Sequence, residues 1–336
     1  MNKQKATDVY GRPDRSRPKS KGYDAGLFIQ DEYAINPYLT LTPVLRWSYY
    51  NRKPTTDNND KFGLASRSDS KVTPGITLTL SPSKQLSFYA SVQTGYRPPF
   101  LDELYTSIEY PEFGMYSVVL PNPDLKPEES INVEIGVNGD YKSLFSDSDR
   151  FVFHANVFRD RVKNLINAGA TGDMDFTDDG DMILYYSIDN VGKALKTGFE
   201  ASADYYPGNA DFHLSYGYLH AEDKNTGEKI PGLTPMQATL RAGYTYKPWN
   251  VNGWYRMRLF KGGKSNLETA WNSGEYKQLG GFATHTLGLT WKPQIKDWAD
   301  FTLTFSVDNI TNKKFRYLNG GYGVGRSYRA WLSATF

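Results

Sequence analysis

Gly95-Tyr96-Arg97-Pro98-Pro99-Phe100-Leu101-Asp102-Glu103-Leu104-Tyr105 is followed, after about fifteen residues of loop, by Leu120-Pro121-Asn122-Pro123-Asp124-Leu125-Lys126-Pro127-Glu128-Glu129-Ser130. The prolines of both runs lack an amide hydrogen, so neither run joins a strand ladder; each holds the backbone extended or turned. Strands flank them. Leu86, Phe88, Ala90 and Val92 alternate with Ser87, Tyr89, Ser91 and Gln93 on the way in. Ile131, Val133, Ile135 and Val137 alternate with Asn132, Glu134, Gly136 and Asn138 on the way out. One strand climbs into the stretch and another leaves it.

The same period of two runs outward in both directions. Leu39, Leu41, Leu45, Trp47 and Tyr49 share one parity near the start, and Phe301, Leu303, Phe305 and Val307 share one near the end. An apolar face backed by a polar face places a sheet between two environments. The polar parity carries Arg46, Arg97, Glu134, Glu200, Arg241, Arg256 and Arg258. So many charges on one face fit a wide wet or plugged lumen, with the apolar face turned to lipid. Short turns at Asn36–Tyr38, Ser81–Gln85, Pro207–Ala210 and Lys247–Asn250 alternate with long connections at 51–70, 98–127, 163–188, 222–233, 262–278 and 315–325. That alternation is the habit of outer-membrane barrels. The pattern predicts an all-β fold, an antiparallel transmembrane β-barrel, with about thirteen strands. Plugged barrels have about 22 strands, so the chain is expected to supply the C-terminal part of a larger plugged barrel, as a fragment or split product. Residues 1–21 read as polar loop and 22–336 as barrel, with the plug domain absent.

Composition agrees. Of 336 residues 25 are Tyr, a side chain suited to a membrane–water boundary. Mean hydropathy is −0.59, and no run of about 18 apolar residues occurs, which excludes an α-helical membrane protein and leaves a barrel open. Cysteine is absent, which removes disulfides, thiolate metal sites and a cysteine nucleophile. Net charge is +2, which does not point to nucleic acid. The N-terminus has no apolar core and is not a signal peptide. No Gly-x-Ser-x-Gly elbow or phosphate-binding glycine loop occurs, and the chain is not expected to be an enzyme. His154 and His213 fall on the polar parity, His220 and His285 on the lipid or rim parity, and none has metal-ligand spacing.

The two proline-rich runs resemble the Phe-Arg-Ala-Pro and Asn-Pro-Asn-Leu boxes of the TonB-dependent outer-membrane receptor family. Tyr96, Arg97, Pro98 and Pro99 stand at the first box, with Tyr96 for Phe and Pro98 for Ala. Asn122, Pro123, Asp124 and Leu125 stand at the second, with Asp124 for Asn. Asn190-Val191-Gly192-Lys193-Ala194, Val307-Asp308-Asn309-Ile310-Thr311-Asn312-Lys313-Lys314-Phe315 and the terminal alternation ending on Phe336 resemble further segments of these receptors. The resemblance implies a Gram-negative outer-membrane transporter for an iron compound, with no intrinsic cofactor. It implies a plug and TonB contact upstream of this chain, haem as the leading transported ligand, and a haem-carrying protein as a partner. A ferric siderophore is the alternative, and a passive barrel or surface protein a further one.

Haem receptors of the family commonly place a histidine between the boxes, and none lies between Tyr105 and Asn122 here. Tyr110 and Tyr116 are therefore the candidate axial ligands, tyrosinate being a known haem ligand type. Arg97 and Lys126 are the candidate cations for an anionic ligand, with Arg161 added in a siderophore site.

Overall fold

The computed structural model describes residues 19–54, 64–112, 115–178, 180–190, 192–268, 275–293 and 299–335, without the side chains of 109–112, 115, 168–170 and 268. Strands β1 (Ser20–Gln30), β2 (Tyr33–Asn36), β3 (Leu39–Pro54), β4 (Arg67–Ser83) and β5 (Leu86–Arg97) lead to a short helix α1 (Leu101–Tyr105). Then come β6 (Ile108–Glu112), β7 (Met115–Leu120), β8 (Glu128–Lys142), β9 (Asp149–Lys163), β10 (Ile166–Phe176) and β11 (Met182–Asn190). The second half holds β12 (Lys193–Pro207), β13 (Ala210–Asp223), β14 (Met236–Tyr246) and β15 (Val251–Phe260). It closes with β16 (Gly263–Glu268), β17 (Tyr276–Leu279), β18 (Phe282–Trp291), β19 (Asp300–Asp308) and β20 (Ser327–Thr335).

One large antiparallel meander forms the wall, in the order β1-β3-β4-β5-β8-β9-β12-β13-β14-β15-β18-β19-β20. Strand β2 pairs with β3 in line with β1, since Gln30 faces Val44 and Tyr33 faces Leu41. The wall thus has the thirteen strand positions that alternation predicts. β1 begins at Ser20, paired to Pro54, two residues inside the segment read as loop. Residues 1–18 and Phe336 lie outside the described residues. Short connections close one rim, where Gly208 and Asn250 take left-handed φ of 66° and 52° to turn the chain tightly. The long connections all emerge at the opposite rim.

The register puts one row of apolar side chains beside the next. Ala90 faces Ile135, Ile135 faces Val157, and Val157 faces Phe199. Ile135 is 58% exposed and Val157 51%, along with Leu45, Val72, Ile76, Val92, Leu214, Leu240 and Leu287. A soluble sheet does not leave such a continuous apolar band in water; the band matches lipid. The other face is polar. Tyr89 donates to Glu134, Asn156 Nδ2 reaches Glu134 Oε1 at 2.9 Å, and Arg241 pairs with Asp211. Among the described residues no helix is long and apolar enough to cross a membrane.

A buried apolar cluster assembled from several elements lies at the long-loop rim. Among the described residues it comprises Leu104, Tyr105, Leu125 and Ile166, with Leu64, Leu101 and Ile188 packed against it. This core is where the two proline-rich boxes sit.

Candidate functional site

The first box leaves β5 at Arg97 and turns through Pro98-Pro99 into α1. Without an amide hydrogen, Pro98 and Pro99 cannot extend the ladder. Leu101 to Tyr105 instead wind into one helical turn, with Leu104 N donating to Phe100 O at 3.2 Å. Glu103 secures the start of that turn by accepting the Phe100 amide at 2.8 Å. The helix drops Leu104 and Tyr105 into the rim core, where both are essentially sealed from solvent.

Arg97 ties the base of this loop shut. Its Nη1 donates to both oxygens of Glu103, at 3.0 and 2.9 Å, and its Nη2 to Glu128 Oε1 at 2.6 Å. Arg97 and Glu128 are also register partners on β5 and β8. Glu128 Oε1 accepts in addition the amide of Ile166, the first residue of β10, at 2.9 Å. One carboxylate therefore holds the entry and exit of the 98–127 loop together with the start of the next long loop. The planar guanidinium suits this role because it offers two donor edges in fixed geometry.

Tyr105 fastens a third element. Its hydroxyl lies 3.0 Å from Arg52 O and 2.9 Å from Ala65 O, on either side of the β3–β4 connection. Burial pushes the phenol above its ordinary pKa, outweighing the opposing charges of Arg67 and Arg52, so it stays a neutral donor. Arg52, itself buried, donates through Nε to Pro99 O at 3.3 Å and pairs with Asp24 at 2.7 Å.

The second box uses its asparagine twice. Asn122 Oδ1 accepts the Asp124 amide at 3.1 Å, closing an Asx turn, while Nδ2 donates to Ile188 O at 2.9 Å and Asp189 Oδ1 at 2.6 Å. Asn190 completes the lock. Its Oδ1 accepts Lys126 N at 2.8 Å, and its Nδ2 donates to Lys126 O at 2.9 Å and Asn164 O at 2.8 Å. Asp124 is exposed and pairs with Arg67, while Leu125 sits in the core.

Above the boxes the two loops fuse. Hairpin β6–β7 from between the boxes and hairpin β10–β11 from the following loop form one four-stranded sheet, β10-β11-β7-β6. The joint is parallel, with Met115 through Leu120 of β7 in register with Met182 through Ser187 of β11.

The candidate ligand contacts fall into this frame unevenly. Tyr116 is half-buried on β7, registered with Ile183, on the face it shares with Val118 and Leu120. Tyr110 pairs through its backbone with Ser117; its side chain lies outside the described residues. Arg97 is committed to Glu103 and Glu128. Lys126 is exposed, with only its backbone held. Tyr96 donates to Asp69 at 3.1 Å. Pro98 is half-buried and Pro99 fully buried under Arg52. Arg161 lies opposite Ile131 on the outward parity, not on the lumen face. His154 and His213 face the lumen beside Asn138 and Asp204; His220 and His285 take the other parity beside Glu222 and Tyr255. No group of side chains with metal-holding geometry occurs among the described residues. The sequence points to Tyr105 of the first box as structural, but not to Glu103, Glu128 and Asn190 as the fastening residues. Asn190 begins one of the recurrent segments, which was the available signal.

A meander with a lipid-matched outer face, a charged inner face and long loops knitted at one rim defines the wall of a membrane β-barrel. The family model described as TonB dependent receptor-like, beta-barrel matches residues 2–310, and the chain belongs to that family. Heme/hemopexin utilization protein C of Haemophilus influenzae (strain 86-028NP) is 24% identical over 294 residues, covering 83% of this chain and 38% of the relative. Hemoglobin and hemoglobin-haptoglobin-binding protein A of the same species is 27% identical over 260 residues, covering 70% of this chain and 22% of the relative. The hemophore receptor HasR of Serratia marcescens, solved with its hemophore HasA and heme, superposes with a TM-score of 0.66 at 19% identity, covering 94% of this chain and 52% of that one. The copper transporter OprC superposes with a TM-score of 0.70 at 15% identity, covering 93% of this chain and 47% of that one. The chain thus spans about half or less of the length of these relatives.

Proposed function

We propose that this chain is the C-terminal wall and outer rim of an outer-membrane, TonB-dependent receptor that takes up haem. The observation that carries the reading is the kinship across 70–83% of the chain with proteins named for the use of heme–hemopexin and hemoglobin. The rim geometry supports it. A receptor must present ligand contacts from long loops without losing their position, and here the two boxes weld three long loops to one core.

In this reading the sheet β10-β11-β7-β6 is the outer platform, and Tyr116 and Tyr110 supply the axial oxygen to haem iron. Lys126 adds a cation for the ligand's acidic groups, and Arg97 acts through position by fixing the platform's base. A plug domain in the complete receptor closes the lumen and couples it to the TonB complex; the wall's lumen charges are its seat. A haem-carrying protein is the partner at the outer platform. The transported ligand is cargo, and the wall holds no cofactor of its own.

The test is growth. An iron-starved Gram-negative strain lacking its own haem receptors, given the full-length receptor that contains this chain, grows on haemin as sole iron source. Growth on a ferric siderophore but not on haemin contradicts the haem reading and moves ligand contact to the loop cations. Growth on neither, with the receptor folded in the outer membrane, favours a passive barrel.

A further inference from the structure

On the lumen face of β15 and of the last two wall strands, positive charge exceeds what its partners neutralise. Arg256 and Arg258 are two residues apart on β15 and so face the same side. Asp308, at the end of β19, is nearly covered. It accepts from Arg256 Nη2 at 3.2 Å, from Arg329 Nε of β20 at 2.9 Å and from Thr286 Oγ1 at 3.0 Å. Arg258 makes no hydrogen bond or ion pair among the described residues. It and Arg329 nonetheless lie close enough to Arg256 to repel it. Two guanidiniums therefore share one carboxylate, a third, Arg258, stands next to Arg256 without a counter-charge among the described residues, and Arg256 Nε is shut off from solvent without a partner.

The neighbouring strand carries a balanced counterpart, Arg241, in register with Arg256. Both guanidiniums lie over the ring of Trp254, Arg256 at 5.6 Å and Arg241 at 5.5 Å from its centroid. Gly288 on β18 makes room for that indole, since a Cβ there would fall 2.1 Å from it. Arg241 is matched by its own partners, Asp211 and Asn252. Toward the lumen Arg258 borders a recess of about 450 Å³ shared with Gln237, Thr239 and Phe260; Glu200 lines it too but makes no ion pair with Arg258.

Like charges gathered against a low-dielectric wall are held together only at a cost, and a planar anion offsets that cost while meeting several N–H donors at once. A carboxylate fits best, because a guanidinium edge binds both of its oxygens in parallel. We propose that Arg256, Arg258 and Arg329 form a carboxylate-binding step on the lumen wall, part-way down the path from the outer rim. The carboxylate comes from the transported ligand, an arm that rests on the haem reading above, or from an acidic side chain of polypeptide filling the lumen.

The test uses the full-length receptor containing this chain, with Arg258→Gln and the double change Arg258→Gln/Arg329→Gln. Arg258 holds nothing in place, so the single variant should fold, which heat-modifiable gel mobility checks. Two readouts are taken: affinity for haemin against haemin dimethyl ester, whose propionates are blocked, and admission of a large antibiotic that the wild-type receptor excludes. A wild-type preference for haemin of about tenfold that shrinks towards parity in Arg258→Gln supports a ligand carboxylate. An unchanged preference with new antibiotic entry supports a polypeptide carboxylate. If the wild type binds neither haemin nor its ester, the haem reading fails and antibiotic entry alone decides the site. No change in either readout, in both variants, overturns the proposal.

Discussion

Replacing Arg97 by alanine should loosen two loops at once. The change removes donors at 3.0, 2.9 and 2.6 Å from two carboxylates. Glu103 and Glu128, with side chains only 22% and 16% exposed, are left with the Phe100 and Ile166 amides as partners. Breaking a buried pair by deleting one partner costs about 3–5 kcal/mol. Arg97 is itself one-third exposed, and solvent screening lowers the expected cost to roughly 2–3 kcal/mol. That cost falls on local opening of the rim, so amide exchange there should accelerate roughly 30- to 150-fold. Hydrogen exchange read by mass spectrometry on the full-length receptor resolves the pattern. Peptides covering 98–128 and the start of β10 should lose protection together, while mid-wall peptides such as 131–139 keep theirs. Arg97→Lys, which keeps a charge but not the fork, should fall between. Loss of protection confined to 98–128, with the Ile166 amide unchanged, would refute the claim that Glu128 couples the loops.

Three further outcomes follow from the geometry. Tyr105→Phe removes the donor shared by Arg52 O and Ala65 O and should cost about 1–2 kcal/mol, read as faster exchange on both sides of the β3–β4 connection. Because the folded phenol titrates above its ordinary value of 10.0, its contribution is complete below about pH 10 and is lost as pH rises through the folded pKa. Alkaline loosening of the rim should therefore be present in the wild type and absent in Tyr105→Phe. Asn190→Ala deletes the bonds to both backbone groups of Lys126 and to Asn164 O, and should expose residues 164–190 to limited proteolysis without altering the folded gel mobility of the wall. Ile135→Arg places a charge in the lipid-facing row and should cost about 2–4 kcal/mol, seen as a reduced folded fraction in bilayers, whereas Gln93→Arg on the lumen face should be nearly neutral.

Alternation made the wall legible. The parity of Ile131, Val133 and Ile135 and the placement of His154 and His213 towards the lumen follow from the period of two, because the two faces meet such different media. The alternation of short and long connections was equally plain. The rim was legible only in part. Prolines marked where pairing stops, but not that Leu101–Tyr105 would wind into a helix, since one turn is too short to leave a periodic signal. The parallel joint between β7 and β11 was invisible, because it links segments more than sixty residues apart and depends on both loops being folded. Arg97 looked like a free cation because its partners Glu103 and Glu128 are recognisable only once the loop has closed.

The most direct test of the central claim is a haemin titration of the full-length receptor containing this chain, followed in the Soret band, with Tyr116→Phe and Tyr110→Phe alongside. The wild type should give a saturable shift, weakened in at least one tyrosine variant while folded gel mobility stays unchanged. A wild-type receptor that is folded yet gives no shift, or a shift indifferent to both tyrosines, would contradict it.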